Sequence, residues 1–412
     1  MDGISASIVI PVHNGGNVLR RCLESVLAQT RGDFEVICVD NGSTDGSLGV
    51  LEELARKDPR VTALSEARPG VSCARNAGLA RARGEYLLFV DADDTVEPTL
   101  VERVVGEAEK NDADLVVYSF DACYEDPRAG FPQPPCPCES LYGTVFAARD
   151  LDVPATLVVT PNVWRIAFRA SYVRSLELTY PEDLRTSEDL VFVYRALLPA
   201  ERIVLLPDLL YHYSRDSAGS LTRGDREAAG VAALGHIRDA LALSADERWL
   251  RYQLTNLVLD TFEYQLGTCA TVGEYHALLA GLRREWLGYV TENAELVHER
   301  YQRFFSLVQS TDPLENLFAQ HVAARSEAEY FRVWDQAHKQ ELTACHERIG
   351  GLEEQLRAER EQAAATQAAL EGELRAERER ADATRAELDA VYASRSWRFA
   401  RALAKVVHGG RA

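Results

Sequence analysis

Long apolar runs are scarce in this chain of 412 residues. None approaches the roughly 20 residues that cross a bilayer as a helix, and Tyr86–Val90 is the longest near the front. No transmembrane span is therefore expected. Positive charge is also short: 45 Lys and Arg stand against 64 Asp and Glu, a net charge of −19. That balance excludes a nucleic-acid polymer as the main partner, because binding a phosphate backbone needs clustered cations. Cysteine is sparse, with 8 in the whole chain, too dilute for a disulfide scaffold. Cys22, Cys38 and Cys73 fall in strand or helix patterns and read as small buried thiols. Cys136 and Cys138 are close, but no second ligand pair accompanies them as a zinc site requires. Met1-Asp2-Gly3-Ile4 lacks a basic stretch and leads straight into a strand-like run. No signal peptide is expected from it, and the expected location is cytoplasmic. What is present is ample for folding: 46% of residues are apolar, and the length suits two or three domains.

The first 120 residues alternate strand and helix patterns. Ser7–Val12, Phe34–Val39, Val61–Leu64, Tyr86–Val90 and Leu115–Phe120 read as strands. Val18–Gln29, Ser47–Arg56, Val71–Ala82 and Leu100–Glu109 read as helices. This alternation predicts βαβ units, hence an α/β fold with a mostly parallel sheet, whose ligands bind at the carboxyl ends of strands. Residues 121–162 hold six prolines between Pro127 and Pro154 and predict a loop with little regular structure. Periodic structure returns at Val163–Leu176, Glu188–Leu198 and Ile203–Tyr213. Beyond about 225 the segments are helix-permissive, and Pro313 is the only proline after Pro207. An all-α domain over 223–338 is expected behind a first domain of 1–222.

Residues 339–393 are nearly all Ala, Glu, Arg, Gln and Leu. Leu356-Arg357-Ala358-Glu359-Arg360-Glu361 recurs 18 residues later, from Leu374 to Glu379. Eighteen residues are five helical turns, so an apolar stripe stays on one face of a long, nearly straight helix. Leu342, Ile349, Leu352, Leu356, Ala363, Leu370, Leu374, Ala381 and Leu388 form that stripe. The expectation is a coiled-coil-like helix that makes homo-oligomers; a lone solvated helix is the alternative. Residues 394–412 carry Arg395, Arg398, Arg401, Lys405 and Arg411 and no acid, interleaved with Trp397, Phe399 and Leu403. Two readings stand for this tail: peripheral contact with an anionic membrane, or a docking helix or frayed end.

Four blocks carry chemistry. Asp91-Ala92-Asp93-Asp94 follows a buried strand. If the backbone stays extended, Asp91 and Asp93 point to one side and suit a hard divalent ion, Mg²⁺ or Mn²⁺, with a solvated turn as the plainer reading. Asp40-Asn41-Gly42-Ser43-Thr44-Asp45 also ends a strand. Asp40 there can accept from a base or ribose, with a helix cap from Ser43 or Thr44 as the plainer reading. Pro69–Gly78 opens a helix, whose N–H groups favour an anion. Arg75 there can reach a diphosphate or form a surface ion pair. Glu188 and Asp189 stand at a helix start, either as capping acids or as a general base.

Taken in chain order, with Ser7-Ile8-Val9-Ile10-Pro11-Val12-His13-Asn14 ahead of them, the blocks resemble the family-2 glycosyltransferases of the GT-A fold. The resemblance covers about residues 5–220. It implies a Rossmann-like GT-A catalytic domain and an inverting enzyme that uses a nucleotide-sugar donor, usually a UDP-sugar. It places Pro11, His13, Asn14 and Asp40 at the nucleotide, Arg75 and Asn76 on the donor side, Asp91 and Asp93 at the metal and diphosphate, and Asp189 as base with Glu188 beside it. This chain has Asn41 where the family commonly has a second acid, and His13 where it often has Tyr. Tyr211-His212-Tyr213, Arg215 and Ser217–Thr222 resemble the segment that closes the catalytic domain, with His212 read as a packed core residue. Ser394-Arg395-Ser396-Trp397-Arg398 resembles a C-terminal segment of bacterial cell-surface polysaccharide enzymes. The acceptor implied is a glycan, polyol-phosphate or lipid-linked hydroxyl, and the location the inner face of the cell membrane. Two alternatives stand beside this. One is a coiled-coil scaffold whose glycosyltransferase-like domain is inactive. The other is a sugar nucleotidyltransferase, disfavoured because Pro11–Val18 holds no Lys or Arg.

Overall fold

The computed structural model describes residues 3–123, 131–136, 138–214, 226–241, 247–267, 269, 272–309, 372, 375–391, 393 and 398–399. The front of the chain alternates as its pattern predicts. Strands β1 (Ala6–Val12), β2 (Phe34–Asp40), β3 (Val61–Ser65) and β4 (Tyr86–Phe89) are joined through helices α1 (Val18–Leu27), α2 (Ser47–Lys57) and α3 (Val71–Arg81). They pair in parallel in the order β3-β2-β1-β4. Strands β1, β2 and β4 are buried almost throughout, because helices cover both faces of such a sheet. Side chains alternate across it. Ile8 and Ile10 pack with Leu19, Leu23 and Val26 of α1, while Val9 joins the core on the other face.

The sheet continues through the short β5 (Thr95–Val96), helix α4 (Leu100–Asn111) and β6 (Leu115–Cys123). Residues 121–162 hold more regular structure than their prolines suggest. They include the end of β6, strands β7 (Phe131–Gln133) and β8 (Val145–Phe146), and 3₁₀ turns at Glu139–Leu141, Ala148–Asp150 and Ala155–Leu157. The expected run Val163–Leu176 divides into a 3₁₀ turn at Val163–Arg165, strand β9 (Ile166–Arg169) and helix α5 (Ala170–Ser175). Strand β9 lies antiparallel between β4 and β6. Its amino end therefore reaches the sheet edge where β4 and β6 have their carboxyl ends. Helix α6 (Glu188–Leu197) leads to β10 (Ile203–Ser214), which runs parallel to β6 and antiparallel to β5.

Helices α7 (Arg226–Leu241), α8 (Glu247–Gly267), α9 (Val272–Glu285), α10 (Leu287–Glu292) and α11 (Glu299–Gln309) follow. The described residues between 226 and 309 are helical, and these helices share a buried core with the sheet. Ala233, Leu257, Phe262, Leu279 and Tyr301 belong to the same buried cluster as Phe89, Phe168 and Phe192. Residues 1–321 form one unit and 322–412 a second. In the second, residues 375–391 are helical and their side chains exposed, including Leu388 and Val391. Arg215, Ser217–Thr222, most of the 339–393 stripe and nearly all of 394–412 lie outside the described residues. Among the described residues no helix is long and apolar enough to cross a membrane.

Candidate active site

The carboxyl ends of β1, β2 and β4 gather the front half of the site. After β1, His13 Nδ1 lies 2.8 Å from the Asn41 carbonyl. Asn14 adopts a left-handed backbone (φ 53°). Its N–H donates to Ser43 Oγ, and its Oδ1 accepts from the Thr44 N–H at 2.8 Å. The loops after β1 and β2 are thereby laced together, with Pro11 half-buried on the β1 side. The cap expected from Ser43 or Thr44 does not form: Gly46 precedes α2 without a side-chain cap, and Asp45 Oδ1 accepts from the Ser47 N–H.

Neighbours Asp40 and Asn41 have opposite fates. Asn41 donates to the carbonyls of Glu66 and Arg68, at 3.0 and 2.7 Å, and accepts from the Gly70 N–H at 2.8 Å. Only an amide supplies two donors and an acceptor at one point, so an acid in this place would lose both carbonyl bonds. Asp40 is 2% exposed. Its Oδ2 accepts from the Ser43 N–H, while its Oδ1 is buried with no partner among the described residues. A buried carboxylate oxygen without a donor carries a desolvation cost, which a bound N–H or O–H would relieve.

Beyond β4 the backbone turns at once, rather than staying extended. The Asp94 N–H donates to the Asp91 carbonyl at 3.1 Å, a four-residue turn. Tyr211 of β10 pins this turn. Its hydroxyl accepts from the Asp91 N–H at 3.2 Å and donates to Asp94 Oδ2 at 2.5 Å. The Ser214 N–H adds a bond to Asp94 Oδ1 at 2.7 Å. Burial, with the Asp91 and Asp93 charges adding to it, pushes the Asp94 carboxyl well above its usual range. Trp164 stacks on Tyr211 with ring centroids 4.5 Å apart. Sequence reasoning missed Asp94, Tyr211 and Trp164 as site-builders. The doubled acid after Asp93 and the Tyr211-His212-Tyr213 run were signals, but the contacts of Tyr211 with Asp91 and Asp94 span 117 residues or more.

Arg75 is neither a surface ion pair nor open to solvent. Its side chain is 3% exposed and meets three carboxylates: Asp91 at 3.0 Å, Glu188 at 2.8 Å and Asp189 at 2.7 Å. Helix α3 reaches this position because Gly78, one turn further on, lies against Val9; a Cβ there would stand 2.3 Å from Val9 Cγ1. Glu188 and Asp189 open α6, but Ser187 makes no side-chain cap, and both acids turn to Arg75. Burial pushes the Asp189 carboxyl well above its usual range; Arg75 pulls it down, and the Glu188 and Asp91 charges push it further up. Asn76 faces the segment before α6. It accepts from the Tyr180 N–H at 2.8 Å and donates to the Tyr180 carbonyl at 2.9 Å. His212 is no plain core residue: its ring nitrogens lie 2.8 Å from Asp121 and 2.9 Å from Glu97.

The donor set at Asp91 and Asp93 consists of carboxylate oxygens on a turn, with Asp91 28% exposed. Among the described residues no three His, Cys, Asp or Glu side chains converge as metal ligands. The pair fits an ion held by one or two carboxylates that completes its shell with phosphate oxygens and water, as Mg²⁺ and Mn²⁺ do.

A Rossmann-like sheet with acids at the ends of its parallel strands, extended by an antiparallel insertion, defines a GT-A architecture. The crystal structure of Staphylococcus aureus TarS 1–349 has the same fold: TM-score 0.61, 20% identity, over 78% of this chain and 92% of that one. Residues 7–154 match the model of glycosyl transferase family 2. Among curated relatives, the uncharacterized glycosyltransferase EpsJ of Bacillus subtilis is 34% identical over 52% of this chain and 62% of its own length. Glycosyltransferase GlyG of Streptococcus pneumoniae is 29% identical over 63% of this chain and 89% of its own. The poly(ribitol-phosphate) beta-glucosyltransferase of Bacillus spizizenii is 31% identical over 50% of this chain, but over 32% of its own length. The chain thus spans less than two thirds of several relatives it matches.

Proposed function

We propose that this protein is an inverting glycosyltransferase that moves a sugar from a nucleotide-sugar donor, a UDP-sugar, to a hydroxyl of a glycan, polyol-phosphate or lipid-linked acceptor in cell-surface glycoconjugate assembly. The observation that carries the reading is the meeting of Asp91, at the end of β4, with Glu188 and Asp189, at the start of α6, on one buried guanidinium. Donor-side and acceptor-side acids are thereby a few ångströms apart. The unpartnered Oδ1 of Asp40 suits the ring N–H of a base, with Pro11, His13 and Asn14 lining the same loop cluster. TarS, of the same fold, is described in complex with UDP-GlcNAc.

Asp189 takes the proton from the acceptor hydroxyl. The oxygen forms its bond to the anomeric carbon on the face opposite the leaving group. The bond from that carbon to the diphosphate breaks, and its electron pair leaves with the nucleoside diphosphate. Asp91 and Asp93 would hold a divalent ion, which when bound supplies neutralisation of the charge gathering on the diphosphate. Asn76 fixes the Tyr180 segment that leads to the base.

A donor screen for UDP release with Mn²⁺ or Mg²⁺ tests this. Asp189→Asn is expected to lower kcat by about a hundredfold or more, and Asp93→Ala to abolish metal-dependent turnover. Full activity in Asp189→Asn would remove the base assignment, and metal-independent turnover would remove the roles given to Asp91 and Asp93. Self-association through 339–393 and membrane contact through 394–412 are proposed for the same chain, to be read by light scattering and by liposome binding of a version ending at Ala393.

A further inference from the structure

The family pattern puts Arg75 beside the donor, but the contacts of its guanidinium run elsewhere. Nη2 is taken by Asp91, and Nη1 by Glu188 and Asp189 together. Nε is buried without a partner among the described residues, out of reach of an incoming diphosphate. The Tyr180 ring lies beside the guanidinium carbon at 5.3 Å, itself stacked on Phe192 at 4.2 Å. A diphosphate approaching this arginine meets carboxylates first, and like charges repel. To gain Arg75 the donor would have to strip it from Asp189, leaving that carboxylate without its cation.

We infer that Arg75 is a positioning residue for the acceptor-side acids rather than a ligand of the donor's diphosphate. This rests on the reading of Asp189 as base. The arginine holds Glu188 and Asp189, on the first turn of α6, in fixed register with Asp91 on the donor side. Its planar fork does this because it offers several donors in one rigid geometry, which a lysine ammonium on a flexible stem does not. Removing that register displaces the base from the hydroxyl it must reach, and a misplacement of about 1 Å costs on the order of a hundredfold in rate.

The test uses the full chain with Arg75→Lys and Arg75→Met, beside Asp189→Asn. Arg75→Met leaves three carboxylates around a buried gap and can fail to fold, so Arg75→Lys decides. Three quantities are read: melting temperature, the affinities for UDP and UMP in Mn²⁺ by calorimetry, and UDP release from UDP-glucose and UDP-GlcNAc across pH. Arg75→Lys is expected to fold, to keep the ratio of UDP to UMP affinity within about twofold, and to lose about a hundredfold in kcat with an altered acid limb of the pH–rate profile. A tenfold or larger fall in that ratio would mark Arg75 as a diphosphate ligand and overturn the inference. Failure of Arg75→Lys to fold would also overturn it, because the residue would then be a structural ion pair. Full activity in Asp189→Asn sinks the base reading itself. With Asp189→Asn inactive, any failure belongs to Arg75 alone.

Discussion

The acids of this site differ less in identity than in what surrounds them. Asp40 keeps an oxygen without a partner, whereas Asn41 spends its whole amide on the β3–α3 loop. Asn41→Asp would turn two donors into acceptors facing carbonyls. It is expected to cost about 1–3 kcal/mol, measured as a lower urea midpoint, although an acid is common there in the family. For Asp189 the sign of the pH effect follows from burial. Its carboxyl is pushed up, so it stays protonated at a pH where an ordinary aspartate is ionised. As the proposed base, Asp189 must be ionised to act. Activity is therefore expected to fall on acidification at a pH clearly above the ordinary aspartate value of about 4, read as the acid limb of kcat/KM. An acid limb at or below that value would show that the base is another group.

Among the elements, α3 matters through its closeness to β1. Gly78→Ala sets a Cβ 2.3 Å from Val9 Cγ1, and Val9 is branched and buried, with no room to turn aside. The substitution is expected to cost about 1–3 kcal/mol of overpacking and to lower activity as well, because Arg75 rides on the same helix. Unchanged denaturant midpoint and rate would remove that coupling. The front elements were legible because each obeys a single local rule: the buried runs of β1, β2 and β4, and the amphipathic faces of α1 and α4. Strand β9 and helix α5 were not separable in the sequence, since elements of 4 and 6 residues are too short to show a period. The acids themselves were legible from their places after strands. Their partners were not: Arg75 meets residues 113 and 114 positions away, and no local pattern encodes such pairs. His212 failed for the same reason, since both its carboxylates come from other elements.

At the scale of the whole molecule, the described helices α7 to α11 share their core with the sheet. Ala233, Leu257, Phe262 and Leu279 close the same cluster as Phe192 of α6. A chain ended at residue 222 is therefore expected to expose that apolar face and to aggregate or melt well below the full chain, in size-exclusion and thermal scans. A stable, soluble fragment with UDP affinity would support a division at 222/223. The pinning of the Asp91–Asp94 turn by Tyr211 bears on the order in which the molecule matures. The parallel strands β1 to β4 need nothing beyond residue 89 for their mutual pairing. The turn that follows waits for a hydroxyl 117 positions downstream, and contacts of such long span are made late and slowly. During refolding, nucleotide affinity should accordingly lag behind the return of helical and strand signal, and a nascent chain shorter than 211 residues should carry a sheet that cannot yet hold its donor.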